Sequence, residues 1–147
     1  MPTGTRRRAR EAALKVLYQM DVAGFRADEA LAQYWTCFDV EAEGDEYAGE
    51  LVRGIEQSVE DVDRAIRDAS SRWRLERMTH VDRNVLRIGA FELLRCRDVP
   101  TAVVLDEAIE LARRFGSEDS PSFVNGVLDK LARTSRPGDG GSEDTCT

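Results

Sequence analysis

The densest chemistry in the chain lies near its start, where Arg6, Arg7, Arg8 and Arg10 stand in the run RRRAREAALKVLY. Arginines in the first turns of a helix oppose the helix dipole, at a cost of about 0.3–1 kcal/mol each. A cluster kept against that cost is suited to holding phosphate. Tyr18 follows two to three turns later, on the helical face that also carries Arg7, Glu11 and Leu14. Cationic side chains followed by an aromatic ring are the parts of a single-stranded RNA platform: the arginines neutralise phosphates and the ring stacks on an unpaired base. Ordinary half-buried packing is the competing reading of Tyr18. A second stretch, FGSEDSPSFVNGVLDK over residues 115–130, reads as a loop between two apolar helices, with Phe115 and Phe123 at its edges and Glu118 and Asp119 between. Loops on a rigid scaffold are where recognition concentrates, although core packing accounts equally for both phenylalanines. Gly126 falls inside a helical pattern, where glycine costs about 1 kcal/mol relative to alanine. Its small size is expected to admit a close helix approach or a contact with Asn125.

Other chemistries lack their parts. Cys37, Cys96 and Cys146 are widely spaced, no C-x-x-C pair exists, and His80 is the only histidine, whereas a zinc site needs about four convergent ligands. Nothing local supports a Cys–His nucleophile pair. Glu107 and Glu110 are one turn apart but lack the Glu-x-x-His companion of a di-metal bundle. The glycines are isolated and form no phosphate-cradling loop. The sequence therefore predicts no catalytic residue, no metal and no cofactor. No apolar run approaches the roughly 18–20 residues of a membrane span, and no secretory signal follows the basic start. These features predict a cytoplasmic protein with no membrane partner.

The net charge of −7 and a sequence pI near 4.8 argue against nucleic acid only if charge is spread evenly. It is segregated. Residues 1–24 carry +3, residues 25–63 carry −10 and residues 64–97 carry +5. The positive stretches are thus local features in an acidic background.

The elements that must position these residues are helices, because apolar residues recur at helical spacing almost throughout. The first helix carries Ala9, Ala13, Val16, Leu17 and Met20 and ends before Gly24. A second covers about 27–37, with Leu31, Tyr34, Trp35 and Phe38, and is followed by an acidic connection broken at Gly44. Residues 46–71 read as one long helix, or two, with Gly54 a kink site. Residues 72–78 (RWRLERM) form a connector. Thr79 and Asp82 have the spacing of a capping box for a helix over 81–97. Val99-Pro100 ends it, a helix from Thr101 to Phe115 follows, and Gly116 fits its C′ position. Ser120-Pro121 reads as an N-cap with proline at the first helical position. The length fits one domain with its own core. The expected fold is all-α, about six or seven helices over residues 1–134, with a disordered polar tail over 135–147.

The strings RRRARExALxxLYxxD and VDRNVLRIGAFEL, a Val-Pro turn and LDEAIELARRFGSEDSPSFVNGVLDK together resemble the NusB family of bacterial transcription antitermination factors, over about residues 5–134. The resemblance implies a non-enzymatic domain of two packed three-helix subdomains. It implies binding to the boxA element of ribosomal RNA leader transcripts together with the ribosomal protein NusE, in a complex on RNA polymerase that resists premature, notably Rho-dependent, termination. RNA contacts map to Arg6, Arg7, Arg8, Arg10, Tyr18, Asp119, Ser122 and Phe123, and the NusE face to the 76–92 stretch through Asp82, Arg83 and Arg87. Some members form homodimers that mask the RNA surface, so a homodimer is an open expectation. One departure weakens the phosphate contact of the loop: relatives commonly carry a lysine or another polar group beside the loop phenylalanine, where this chain has Pro121-Ser122. A helical protein-docking module without direct RNA contact is the alternative from another class.

Overall fold

A computed structural model of the chain describes residues 3–38 and 45–138. Among these the architecture is all-α, as expected, with seven helices: α1 (Thr3–Ala23), α2 (Ala27–Phe38), α3 (Asp45–Gln57), α4 (Val59–Ala69), α5 (His80–Arg95), α6 (Thr101–Phe115) and α7 (Ser120–Ser135). A single 3₁₀ turn, Leu75–Arg77, lies in the connector between α4 and α5. The acidic connection around Gly44 and the tail from residue 139 lie outside the described residues. The chain divides into two compact units, Met1–Val59 and Glu60–Thr147.

In the first unit α1 buries Ala9, Ala13, Val16 and Leu17 against α3 and α2. Gly24 stops α1 with a left-handed φ of +80°, where a side chain would be strained, and its amide closes on the Met20 carbonyl at 2.9 Å. The α2 start is capped from a distance: the Ala27 amide donates to the Glu56 carboxylate of α3 at 2.9 Å, and Arg26 N donates to Glu29 at 3.2 Å. Tyr47, Leu51 and Ile55 are the buried stripe of α3. The 46–71 stretch proves to be two helices, with the break at Ser58 rather than a kink at Gly54. Both the amide and the hydroxyl of Ser58 donate to the Gly54 carbonyl, at 3.0 and 2.7 Å, a local bond that competes with continued helix.

In the second unit α5, α6 and α7 pack mutually, and α4 is tied to α5 by Arg87, which donates to both carboxylate oxygens of Asp63 at 2.9 and 3.0 Å. Thr79 caps α5 as expected, its hydroxyl accepting from the Asp82 amide at 3.1 Å. The Asp82 carboxylate does not close the capping box. It accepts instead from the Ser120 hydroxyl of α7 at 2.6 Å. Gly89 makes room for α7, since a Cβ there would stand 2.5 Å from the Leu128 side chain. Gly126, expected to serve that purpose, is exposed and has nothing within 4 Å of a built Cβ. Gly116 is extended (φ −97°, ψ −164°) rather than left-handed, and its small size is required because a Cβ would lie 2.5 Å from the Ser120 hydroxyl. The α7 helix begins at Ser120, one residue earlier than expected, so Pro121 occupies its second position.

The expected boundary at residue 134 is too early. Ser135 belongs to α7, and Arg136 is 4% exposed. Its guanidinium donates to the carbonyls of Leu93, Val99, Glu92 and Cys96, and to the Thr101 hydroxyl, at 2.8–3.1 Å. One side chain thus bridges the last turn of α5 and the turn into α6, and the Glu92 and Cys96 carbonyls that it reaches also accept from the Cys96 and Val99 amides.

Candidate nucleic-acid interface

The arginine cluster of α1 is divided by the packing of α1 on α3. Arg6 lies 4.4 Å and Arg10 5.8 Å from the centre of the Tyr47 ring, whose face attracts cations. Arg6 is half-buried there, and Arg10 is only 2% exposed. Arg10 is therefore a correction to the expected set of phosphate contacts: its position at a buried register of α1 leaves no surface for a ligand. Arg7 and Arg8 are exposed. Tyr18 is 43% exposed, and Val22, one turn on, is 59% exposed, so α1 presents an apolar strip near its end. Leu14 does not join that strip, being buried at 3%.

The second unit builds a groove of about 460 Å³ whose walls include Trp73, Arg77, Asp82, Asp119, Ser122 and Phe123. Three expected RNA residues, Asp119, Ser122 and Phe123, are brought together here, and Asp82, expected at the partner face, joins them. Trp73 is projected by a tight turn: its amide donates to the Ser70 carbonyl at 2.9 Å, and the buried Ser70 hydroxyl donates to the Ile66 carbonyl at 2.7 Å. Its indole is 61% exposed and meets the Phe123 ring edge to face, centroids 6.1 Å apart at 82°. Phe123 is placed by the first turn of α7, which the Ser120–Asp82 bond pins to the start of α5.

Arg83 and Arg87 face inward. Arg83 donates to the Leu75 carbonyl at 3.3 Å and to His80 Nδ1 at 2.8 Å, tethering the connector to α5. Because guanidinium has only donors, His80 Nδ1 accepts. Arg87 is spent on Asp63 with its side chain 14% exposed. Both hold the connector and α4 in place.

Trp73 and Arg77 are groove residues that the sequence places only in a connector. Their signal was the string RWRLER, an aromatic between arginines, which has no helical periodicity to mark it. Chemically the groove offers an aromatic face, a cation at Arg77 and carboxylate acceptors at Asp82 and Asp119. That set suits an unstacked base with its amino group toward a carboxylate and its phosphate toward the guanidinium. Among the described residues no group of histidines, cysteines and carboxylates is arranged to hold a metal, and no helix is long and apolar enough to cross a membrane.

The NusB family model matches residues 7–133. The transcription antitermination protein NusB of Anaeromyxobacter dehalogenans (strain 2CP-1) is 56% identical over 131 residues, covering 88% of this chain and 92% of that protein. Among solved structures, T. maritima NusB superposes with a TM-score of 0.80 at 37% identity, covering 90% of this chain and 92% of that one. A chain from a complex of the antitermination factors NusB and NusE with double-stranded RNA superposes with a TM-score of 0.83 at 27% identity, covering 90% and 99%. A match spanning both compact units, with identity above half to a full-length relative, establishes that the chain belongs to the NusB family.

Proposed function

We propose that this chain is a non-enzymatic transcription antitermination factor of the cytoplasm. In this reading it binds boxA-type RNA together with the ribosomal protein NusE, within a complex on RNA polymerase that suppresses premature, notably Rho-dependent, termination. Family membership supports the antitermination role, and the complex of NusB and NusE with double-stranded RNA supports RNA and NusE as partners, without bearing on the preference for single strands. The observation that carries the RNA reading is the exposed Trp73 indole braced on Phe123 above a groove bearing Arg77 and Asp119. A ring can stack only on a base already out of its own stack, so this pair favours single strands over duplexes.

Arg7 and Arg8 supply phosphate contacts from the first unit and Arg77 from the second. Arg77 also answers the Pro121-Ser122 departure, because it brings to the groove the positive charge that the loop itself lacks. Arg83 and Arg87 serve the partner face as supports and do not reach outward.

Fluorescence anisotropy with a labelled boxA-like strand, a scrambled strand and the boxA duplex, each with and without NusE, tests the reading. The boxA strand should bind most tightly and NusE should strengthen it. Equal binding to all three, or none, overturns the proposal. Light scattering with and without RNA reports whether a homodimer covers the RNA surface and dissociates when RNA binds.

A further inference from the structure

Beside the Trp73–Phe123 pair lies a second hollow of about 340 Å³, sharing Trp73, Ser122 and Phe123 with the first and bordered by Arg72, Gly126 and Lys130. We propose that this hollow is a second nucleic-acid subsite, which takes the backbone of the nucleotides flanking those held in the first groove. The inference rests on the RNA-binding reading above and extends it to a length requirement and to residues that the reading does not use.

Two independent observations carry it. The first is charge. In this unit Arg64, Arg67, Arg87, Arg95, Arg113 and Arg133 each stand within 3.8 Å of a carboxylate oxygen. Arg72, Arg74, Arg77, Arg97 and Lys130 have no carboxylate partner among the described residues, and all of these but Arg97 border hollows that Trp73 lines. Cations left unneutralised around one exposed aromatic, in a chain of net charge −7, are placed for an anion. The two hollows also differ: the first is walled by Asp82 and Asp119, whereas no carboxylate lines the second. Base amino groups suit the first and phosphates the second.

The second observation is Gly126. It lies inside α7 and does not adopt positive φ, and a Cβ there would meet nothing within 4 Å. Neither backbone conformation nor internal packing calls for glycine, which weakens a helix by about 1 kcal/mol relative to alanine. Its place on the wall of the cationic hollow supplies a reason. The missing side chain leaves room for a backbone that must come close to Lys130 and Arg72.

The test uses the full chain and a boxA-like single strand, alone or lengthened by oligouridylate at its 5′ or its 3′ end. Lengthening at one end should tighten binding about tenfold at low salt, the scale of one charge-assisted contact. The double variant Arg72→Ala/Lys130→Ala should lose that gain and lower the salt slope for the lengthened strand by about 1.4, leaving the short strand unaffected. Gly126→Leu should remove the same gain by filling the hollow, with the helical circular-dichroism signal intact. If the short strand binds but lengthening at either end adds nothing, or the double variant keeps the gain, the inference is wrong and the RNA-binding reading stands. If the double variant loses NusE and keeps the lengthened RNA, the hollow is a protein site and the inference fails. If no strand binds at all, the reading beneath it fails as well.

Discussion

The Trp73 and Phe123 rings meet edge to face, 6.1 Å apart at 82°, although they come from a connector and from the first turn of α7, fifty residues further along the chain. Edge-to-face contact satisfies the ring quadrupoles while Trp73 stays 61% exposed to solvent. The pair therefore combines rigidity with a free stacking surface.

Trp73→Ala should weaken single-stranded RNA binding by about 5- to 150-fold, the range for one stacked base. Trp73→Phe should recover most of the loss. Because the indole is 61% exposed, thermal stability should scarcely move. A fall in melting temperature that parallels the loss of affinity would show Trp73 to be a packing residue.

The arginines of α1 should separate by function. Arg7→Ala/Arg8→Ala should lower the slope of log affinity against log salt by about 1.4 and leave stability unchanged. Arg10→Ala should do the reverse, because it removes a buried guanidinium from the Tyr47 ring. A loss of about 2 kcal/mol corresponds to a fall in melting temperature of roughly 4–8 °C for a chain of this size. Salt-titrated anisotropy and thermal melts on the same samples decide it. A salt slope lowered by about 0.7 in Arg10→Ala would show that Arg10 touches phosphate and would contradict its burial.

Arg136→Ala should cost about 2–6 kcal/mol, about 1–3 for each of the Leu93 and Val99 carbonyls that lose a buried donor, while the Glu92 and Cys96 carbonyls keep their backbone partners. Hydrogen exchange should rise first around residues 92–101. Exchange that stays unchanged there would mean that water replaces the guanidinium without loss.

Alkaline pH should act on the first unit through Tyr34. Burial of the phenol, with a smaller contribution from the Glu11 charge, raises its pKa above the ordinary 10.0. The folded state then holds its proton more tightly than the unfolded state. Stability is intact below pH 10 and declines as pH rises from 10 toward the folded value. Tyr34→Phe should flatten that decline in alkaline melts, and an unchanged decline would place its cause elsewhere.

Much of this was legible along the chain. The helical spacing of Ala9, Ala13, Val16 and Leu17, the cap at Thr79, the stop at Gly24 and the pause at Val99-Pro100 are local signals with local causes, and each appears where expected. The loop residues Asp119, Ser122 and Phe123 were legible as one group through the motif string and do line one groove. Gly116 and Gly126 were misjudged, because the need for a glycine depends on what a Cβ would strike, and the striking atoms belong to distant residues or are absent.

By itself the sequence determined the helices, their main caps and the family, because periodicity, turn chemistry and motif order are properties of neighbouring residues. Tertiary structure decided which charged and aromatic groups reach solvent. Arg7 and Arg10 are alike in composition and three positions apart, yet packing against α3 buries one and exposes the other. Trp73 looks like a core residue by type and stands open because the Ser70 turn projects it, and Arg136 looks like tail and lies buried because its guanidinium bonds the carbonyls around the end of α5. Exposure is set by the neighbours a residue acquires on folding, which the order of residues along the chain does not state.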